Sequence, residues 1–377
     1  MTGFTTLRTN RWTWPSMETD TPPVVVAIPV RNEAENIAGC LDALARMDRR
    51  GIQLLAVILV FNGCSDTSWE TASAWRGSTR LPLRLIEVAL DPALNHAGGA
   101  RAAALSLALT ALSERRGGTI LTTDADSRVP REWMVQIQAM IDGGADAVAG
   151  EITVDETAAI WPESLRSRHR IEAEYTSLLD EIDALCDPVP HNPWPRHRRC
   201  SGANLAFRAD ALREVRALPA PPYGEDRALV DACLARDLSV RHAPSPRVET
   251  SSRLTGRASG GMADTLSDRS RQHDLPCDAM IEACSTHVYR ATQRARARRT
   301  FMPGVPDAAL AHSLGLPAHQ ISGAPSLHFG DTWQWLERCS PSLARVPLSP
   351  GDLPREITKA KAWLATRLSV TRKEIPA

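Results

Sequence analysis

The chain has 377 residues, with 44 basic and 44 acidic side chains, 43% hydrophobic and 23% charged. That composition excludes wholesale disorder, and a formal net charge of zero argues against a general nucleic-acid binder, which carries a basic excess. At roughly 100–200 residues per domain the length predicts two domains, or one large domain with an appendage.

Residues 1–23 read as an arm without the apolar stretch of a signal peptide. VVVAIPV at Val24–Val30 is a buried, β-branched strand, and Glu33 to about Met47 a helix with Ile37, Leu41 and Leu44 on one side. Leu54–Phe61 is a second buried strand and Asp66–Trp75 a second helix; Leu83–Ala89 is a third strand, followed by an alanine-rich helix at Gly99–Ser113. Gly118–Asp126 supplies a fourth strand, Arg131–Asp142 a helix and Asp146–Val154 a fifth strand. Ala158–Leu185 is a long charged helical stretch, and Asp187–Arg199 a proline-rich loop. Cys200–Leu212 reads as strand, turn and helix, Pro221–Leu238 as a glycine-led turn into a helix, and Ser239–His242 as another strand. From Met262 the chain reads as helical and loop-rich, with a basic run at Arg294–Arg299 that is either a solvated helix face or a surface for an anionic acceptor or membrane.

No apolar run reaches the ~18–20 residues needed to cross a bilayer. The eight cysteines are scattered without a Cys-x-x-Cys pair, which reads as free thiols in a reducing cytoplasm. The expectation is a soluble cytoplasmic protein, or one peripheral to the inner face of a membrane.

Strands alternating with helices at this spacing make a doubly wound, mostly parallel α/β sheet, whose ligands lie beyond the carboxyl ends of the strands. There the sequence places Arg31, Asn32 and Glu33; then Asn62 to Asp66; then Asn95, His96, Gly98, Gly99 and Arg101; then Asp124 and Asp126. Four consecutive strand ends thus carry polar or glycine-bearing loops. The two aspartates, one residue apart, are hard oxygen donors able to meet a divalent cation, and that cation could assist the departure of a diphosphate.

VAIPVRNEAENIAGCLDAL, LVFNGCSDTSWETA, LTTDADSRVPREWM, CSGANLAFRADAL and GEDRALVDACLARDL, in that order, resemble family 2 glycosyltransferases over about residues 24–261. The resemblance implies a GT-A fold, with a nucleotide-sugar-binding half at 24–157 and an acceptor half at 158–261; the mostly helical region at 262–377 lies beyond it. The resemblance also implies a manganese or magnesium ion and inversion at the anomeric carbon. Pro29, Arg31, Asn32 and Glu33 would line the nucleotide site, with Glu33 near the ribose. Asn62 stands where the family commonly has an aspartate against uracil, so both UDP-type and GDP-type donors stay open. Asp66 matches a later aspartate of that loop or caps the following helix. Gly98, Gly99 and Arg101 flank the nucleotide, and the glycines would admit it to close backbone approach. Asp124 and Ala125 would face the ribose and sugar, with Asp126 the more direct metal ligand.

On the acceptor side, Gly202-Ala203-Asn204 matches a turn that touches donor sugar or acceptor. The pair Glu225-Asp226 supplies Asp226 as general base, with Glu225 orienting the acceptor. His242 is the candidate third metal ligand, or a histidine satisfied by backbone. Arg253 and Arg257 suit the diphosphate, because guanidinium forks match phosphate oxygens. Gly256, Gly260 and Gly261 would let that segment fold over the ligand. Trp194 either lines the acceptor cleft or packs. The expectation is a metal-dependent inverting sugar transferase acting on an unidentified acceptor hydroxyl, with no nucleic-acid partner. The C-terminal region would cover the acceptor side or mediate homodimerisation. A nucleotidyltransferase would usually need a glycine-rich loop after the first strand, where this chain has PVRNEAEN. An inactive nucleotide-sugar-binding protein is the other alternative, against which the acidic residues argue.

Overall fold

The computed structural model describes residues 3–15, 22–75, 77, 81–113, 117–154, 161–215, 217–253, 262–305, 307–321 and 327–373. Its elements in chain order begin with β1 (Phe4–Thr9), β2 (Val24–Val30), α1 (Ile37–Ala45), β3 (Leu54–Asn62), α2 (Ser68–Ala74), β4 (Leu83–Leu90), α3 (Ala97–Ala111) and β5 (Thr119–Thr122). They continue with α4 (Trp133–Asp142), β6 (Ala147–Val154), α5 (Glu163–Cys186), β7 (Leu205–Arg208), α6 (Ala209–Glu214), α7 (Glu225–Ala235) and β8 (Val240–Thr250). The rest is helical: α8 (Met262–Arg271), α9 (Cys284–Thr300), α10 (Ala308–Ser313), α11 (Ala318–Ile321), α12 (Phe329–Cys339) and α13 (Leu353–Lys373).

Eight strands form one mixed sheet in the order β1-β4-β3-β2-β5-β7-β6-β8. Six run parallel; β1 on the edge and β7 between β5 and β6 run against them. The unbroken apolar runs of β2 and β3 follow from burial on both faces. Val24, Val26, Ile28 and Val30 pack on one side with Ile37, Leu41 and Leu44 of α1 and Trp133 and Ile137 of α4. Val25 and Ala27 point to the other side, into the core that also holds Ala104 and Ala108 of α3 and Leu229 and Val230 of α7. That is the two-residue pleat written out in side chains.

Two expectations change here. The arm at 1–23 carries β1, paired antiparallel to β4 from Phe4 opposite Leu90 to Thr9 opposite Ile86. The last strand extends from Val240 to Thr250. Pro244 and Pro246 made its second half read as loop, but β8 ends the sheet, and an edge strand tolerates missing N–H donors.

Asn204 is fully buried at the start of β7, and its side chain ties three elements together. It accepts from the indole N–H of Trp133 at 2.8 Å and donates to the carbonyls of Glu151 at 2.8 Å and Pro246 at 2.9 Å. A Cβ on Gly150 would lie 2.2 Å from the Asn204 amide nitrogen, so glycine is required beside it. Asn204 is therefore a strap inside the sheet. Asn204→Ala strands a buried donor and two carbonyls; with about 1–3 kcal/mol for each group left unpaired, the expected destabilisation is about 3 kcal/mol, read from the denaturant midpoint.

By internal contacts the chain divides into two units. The first comprises Met1–Ile160, Arg199–Leu234 and Leu238–Thr265; the second comprises Trp161–Arg198, Ala235–Asp237 and Leu266–Ala377. Helix α5 thus groups with the C-terminal helices, where the sequence reading had put it in the acceptor half. In the second unit Tyr175, Leu179 and Ile182 of α5 pack on Cys284 of α9 and Leu353, Ile357 and Ala360 of α13.

The basic run on α9 is in part engaged by ion pairs within that unit. Arg294 donates to Asp187 at 2.6 Å and Asp183 at 2.9 Å, and Arg298 donates to Asp187 at 3.0 Å. Burial raises the carboxyl of Asp183, but Arg294 and the neighbouring guanidiniums outweigh it and hold the group far below the usual range. Those two arginines are ion-pair partners of α5, while Arg296 and Arg299 face solvent. Among the described residues no helix is long and apolar enough to cross a membrane, and all eight cysteines are free thiols.

Candidate active site

The carboxyl ends of β2, β3, β5 and β8 and the start of β7 border a cavity of about 830 Å³, whose described lining residues all belong to the first unit. Two loops at its edge are laced by side chains. Asn32 sits at φ 55°, a left-handed conformation that asparagine tolerates, and its carbonyl accepts from the Ser65 N–H at 2.7 Å. Asp66 accepts from the Ala34 N–H at 3.0 Å and from the Ser68 N–H at 3.0 Å, and Ser68 Oγ in turn accepts from the Glu33 N–H at 2.7 Å. The loops after β2 and β3 are therefore one fastened surface, which presents Arg31 and Glu33 to the cavity.

Acidic and guanidinium groups alternate along the floor. Glu33 is buried and accepts both forks of Arg253, at 2.9 and 2.6 Å. Arg253 also lies 3.1 Å from Asp126. Asp124 is gripped by Arg101 at 2.6 Å. Burial, then the charge of Asp124, pushes the carboxyl of Asp126 up to about 6, with Arg253 pulling the other way. Burial works against the charge on Arg253, but the hydrogen bond to Glu33 and the charge of Asp126 outweigh it, and its pKa is raised.

The opposite wall is built by β7 and α7. Ser201 caps the short turn Gly202–Asn204, accepting from the Ala203 N–H at 3.4 Å. Asp226 accepts from the Gly202 N–H at 3.1 Å and from the Arg227 N–H at 2.7 Å. Its pKa is raised, by burial first and then by the charge of Glu225. Glu225 is held by Arg101 at 3.2 Å. Pro222, Tyr223 and Gly224 complete this rim, with Tyr223 66% exposed and so free to meet a ligand face.

The structure therefore gathers Pro29, Arg31, Glu33, Asn62, Arg101, Asp124, Ala125, Asp126, Gly202, Glu225, Asp226 and Arg253 around one cavity. It does not bring Asn32, Asp66, Gly98, Gly99, Asn204 or His242 to the cavity's described lining. Asn32 and Asp66 fasten loops. At Gly98 an added Cβ would lie 2.0 Å from the Pro221 carbonyl, and at Gly99 1.9 Å from that of Leu94, so the close approach those glycines permit is by the chain's own backbone. His242 is buried near the start of β8, paired with Ala149, whereas the cavity meets the strand's other end at Thr250 and Ser251. Arg257 and the glycines at 256, 260 and 261 lie outside the described residues. Trp194 is 45% exposed and belongs to the second unit.

Asn95 and Tyr223 are among the lining residues to which the sequence alone assigns no role at the site. Asn95 follows β4 and accepts from the side-chain amide of Asn62 at 3.0 Å; the rule of strand ends already pointed to its loop. Tyr223, one residue before the Gly-Glu-Asp turn, had only its neighbours as a signal.

The donor set suits a hard divalent cation. Asp124 and Asp126 both line the cavity, and each presents carboxylate oxygens of the kind such an ion takes. No cluster of three or more histidine, cysteine or carboxylate ligands occurs among the described residues. Two carboxylates completed by phosphate oxygens and water is a usual arrangement for magnesium at a nucleotide.

The cavity lies at the carboxyl edge of a mostly parallel sheet, where open α/β sheets bind their ligands. Residues 25–188 match the family model described as glycosyl transferase family 2, so over that stretch the chain is similar to that family. Among solved structures, the S. aureus TarS fragment 1–349 in complex with UDP-GlcNAc is 15% identical, with 77% of this chain and 69% of that one covered and a TM-score of 0.44. Glucosyl-3-phosphoglycerate synthase from Mycobacterium tuberculosis, in complex with Mn2+, UDP and phosphoglyceric acid, is 14% identical, covering 76% of this chain and 80% of that one at a TM-score of 0.40. A search of curated proteins finds no match.

Proposed function

We propose that this protein transfers a sugar, with inversion, from a UDP- or GDP-type nucleotide-diphosphate donor to an acceptor hydroxyl. The observation that carries the reading is the meeting of Asp124, Asp126 and Asp226 around one cavity with Arg253 between them and the loop of β2. Asp226 takes the acceptor proton as the acceptor oxygen attacks the anomeric carbon, and the bond from that carbon to the diphosphate breaks. A raised pKa makes Asp226 a stronger base than an ordinary carboxylate while its backbone contacts hold it in place. Asp124 and Asp126 would hold manganese or magnesium, which when bound neutralises charge on the leaving diphosphate. Asn62 and Asn95 line the same cavity and offer amide donors and acceptors for a nucleobase edge.

Release of a nucleoside diphosphate from a panel of nucleotide-sugars, with and without manganese, tests this directly. Pyrophosphate release from a sugar phosphate and a nucleoside triphosphate would instead establish a nucleotidyltransferase. Arg253→Ala is expected to weaken nucleoside-diphosphate binding roughly tenfold or more while nucleoside binding changes little, by calorimetry, because a guanidinium fork recognises phosphate. Equal losses for both ligands would assign Arg253 a folding role.

A further inference from the structure

We infer that Arg101 is a positioning residue, which sets the general base through the Gly202 peptide and does not serve as a nucleotide contact; the inference rests on the transferase reading above. Arg101 leaves the first turns of α3 and is only 7% exposed, although it lines the cavity. Its guanidinium donates from Nε to Glu225 at 3.2 Å, from Nη1 to Thr122 Oγ1 at 3.3 Å and the Gly202 carbonyl at 3.2 Å, and from Nη2 to Asp124 at 2.6 Å. Four of the five N–H donors of the fork are thus committed inside the protein. Burial opposes its charge, but Asp124 and Glu225 overcome that opposition.

Gly202 is the pivot. Its carbonyl accepts from Arg101 and from the Thr122 hydroxyl, and its N–H donates to Asp226 at 3.1 Å. One peptide turn therefore has the arginine on one side and the base on the other. A Cβ at residue 202 would stand 2.1 Å from Arg101 Cζ, so the fork crosses the turn only because the residue is glycine. Glu225, directly before Asp226 in the first turn of α7, gives the same guanidinium a second hold on the base. Asp124, at its far end, lies on the donor side. A lysine ammonium is a compact point charge whose three donors leave one atom, and it cannot span these divergent partners.

The test compares Arg101→Lys and Gly202→Ala with wild type, using calorimetry of UDP and GDP with manganese and steady-state kinetics with a nucleotide-sugar that wild type turns over. Arg101→Lys is expected to bind the diphosphate within about threefold of wild type, with donor KM little changed, while kcat falls roughly 10²-fold, the scale of two lost charge-assisted contacts. Gly202→Ala, which leaves every charge in place, is expected to reproduce that split, and the double variant to be no worse than the poorer single one, since both break one linkage. A tenfold or greater loss of diphosphate binding in Arg101→Lys, an unchanged kcat, or additive losses would each overturn the proposal. If Arg101→Lys does not fold, Gly202→Ala decides alone. Wild type that turns over no nucleotide-sugar overturns the transferase reading and this with it, whereas an active wild type beside an unimpaired Arg101→Lys overturns only this.

Discussion

Asp226→Asn is expected to bind donor normally and to lose transfer by roughly 10²–10⁴-fold in kcat, the range for removing a positioned base. The substitution keeps the shape of the side chain and removes the ability to accept a proton. Two effects compete to explain an acidic residue here. As a charge in the first turn of α7, Asp226 would favour the helix dipole by about 0.3–1 kcal/mol, and its loss would lower stability slightly and leave kcat alone. As the base, it would leave stability nearly unchanged and abolish almost all turnover. The observed surroundings favour the second: Asp226 is half-buried beside Glu225, its pKa is raised, and two backbone N–H groups fix its oxygens. Single-turnover kinetics beside a thermal melt separates the two, and full transfer in the variant would place the base elsewhere.

Asp126→Ala should abolish metal-dependent donor turnover. Charge stabilisation of a leaving diphosphate is worth several kcal/mol, and every 1.36 kcal/mol is tenfold in rate, so a fall of roughly 10²–10⁴-fold is expected at saturating manganese. Manganese binding in the presence of UDP or GDP, followed by electron paramagnetic resonance, should weaken in parallel. Arg253 keeps both hydrogen bonds to Glu33 in that variant, so the floor of the cavity stays in place. Unchanged turnover would remove Asp126 from the metal assignment.

Much of the fold could be read in the chain itself, because β2, β3, β4 and β6 are dense apolar runs bounded by turn residues, and their observed ends fall within a residue or so of the expected ones. What escaped was structure stabilised by partners distant in sequence. FTTLRT in β1 is largely exposed and gains its order from pairing with β4. The reversed direction of β7 leaves no local mark in LAFR, since strand direction is a property of neighbours. At the site, position along the chain identified the strand-end loops, yet it could not say which way each side chain points. Glu33 faces the cavity while Asn32, one residue earlier, turns back on Ser65. Asp126 and Asp66 are both loop aspartates after a strand; one lines the cavity and the other fastens the chain. His242 was tied to the site by motif, but β8 runs eight residues past it before reaching the cavity.

The reversal of β7 has a consequence for how such a protein can diversify. The chain leaves the sheet at the end of β6 and re-enters at the beginning of β7, its hydrogen-bonded neighbour, so departure and return lie side by side on the same rim. The ladder between β6 and β7 fixes strand register without help from the excursion that joins them, so a change in its length need not slip the sheet. Helix α5 within that excursion is not free to be exchanged, because Tyr175, Leu179 and Ile182 belong to the core of the second unit.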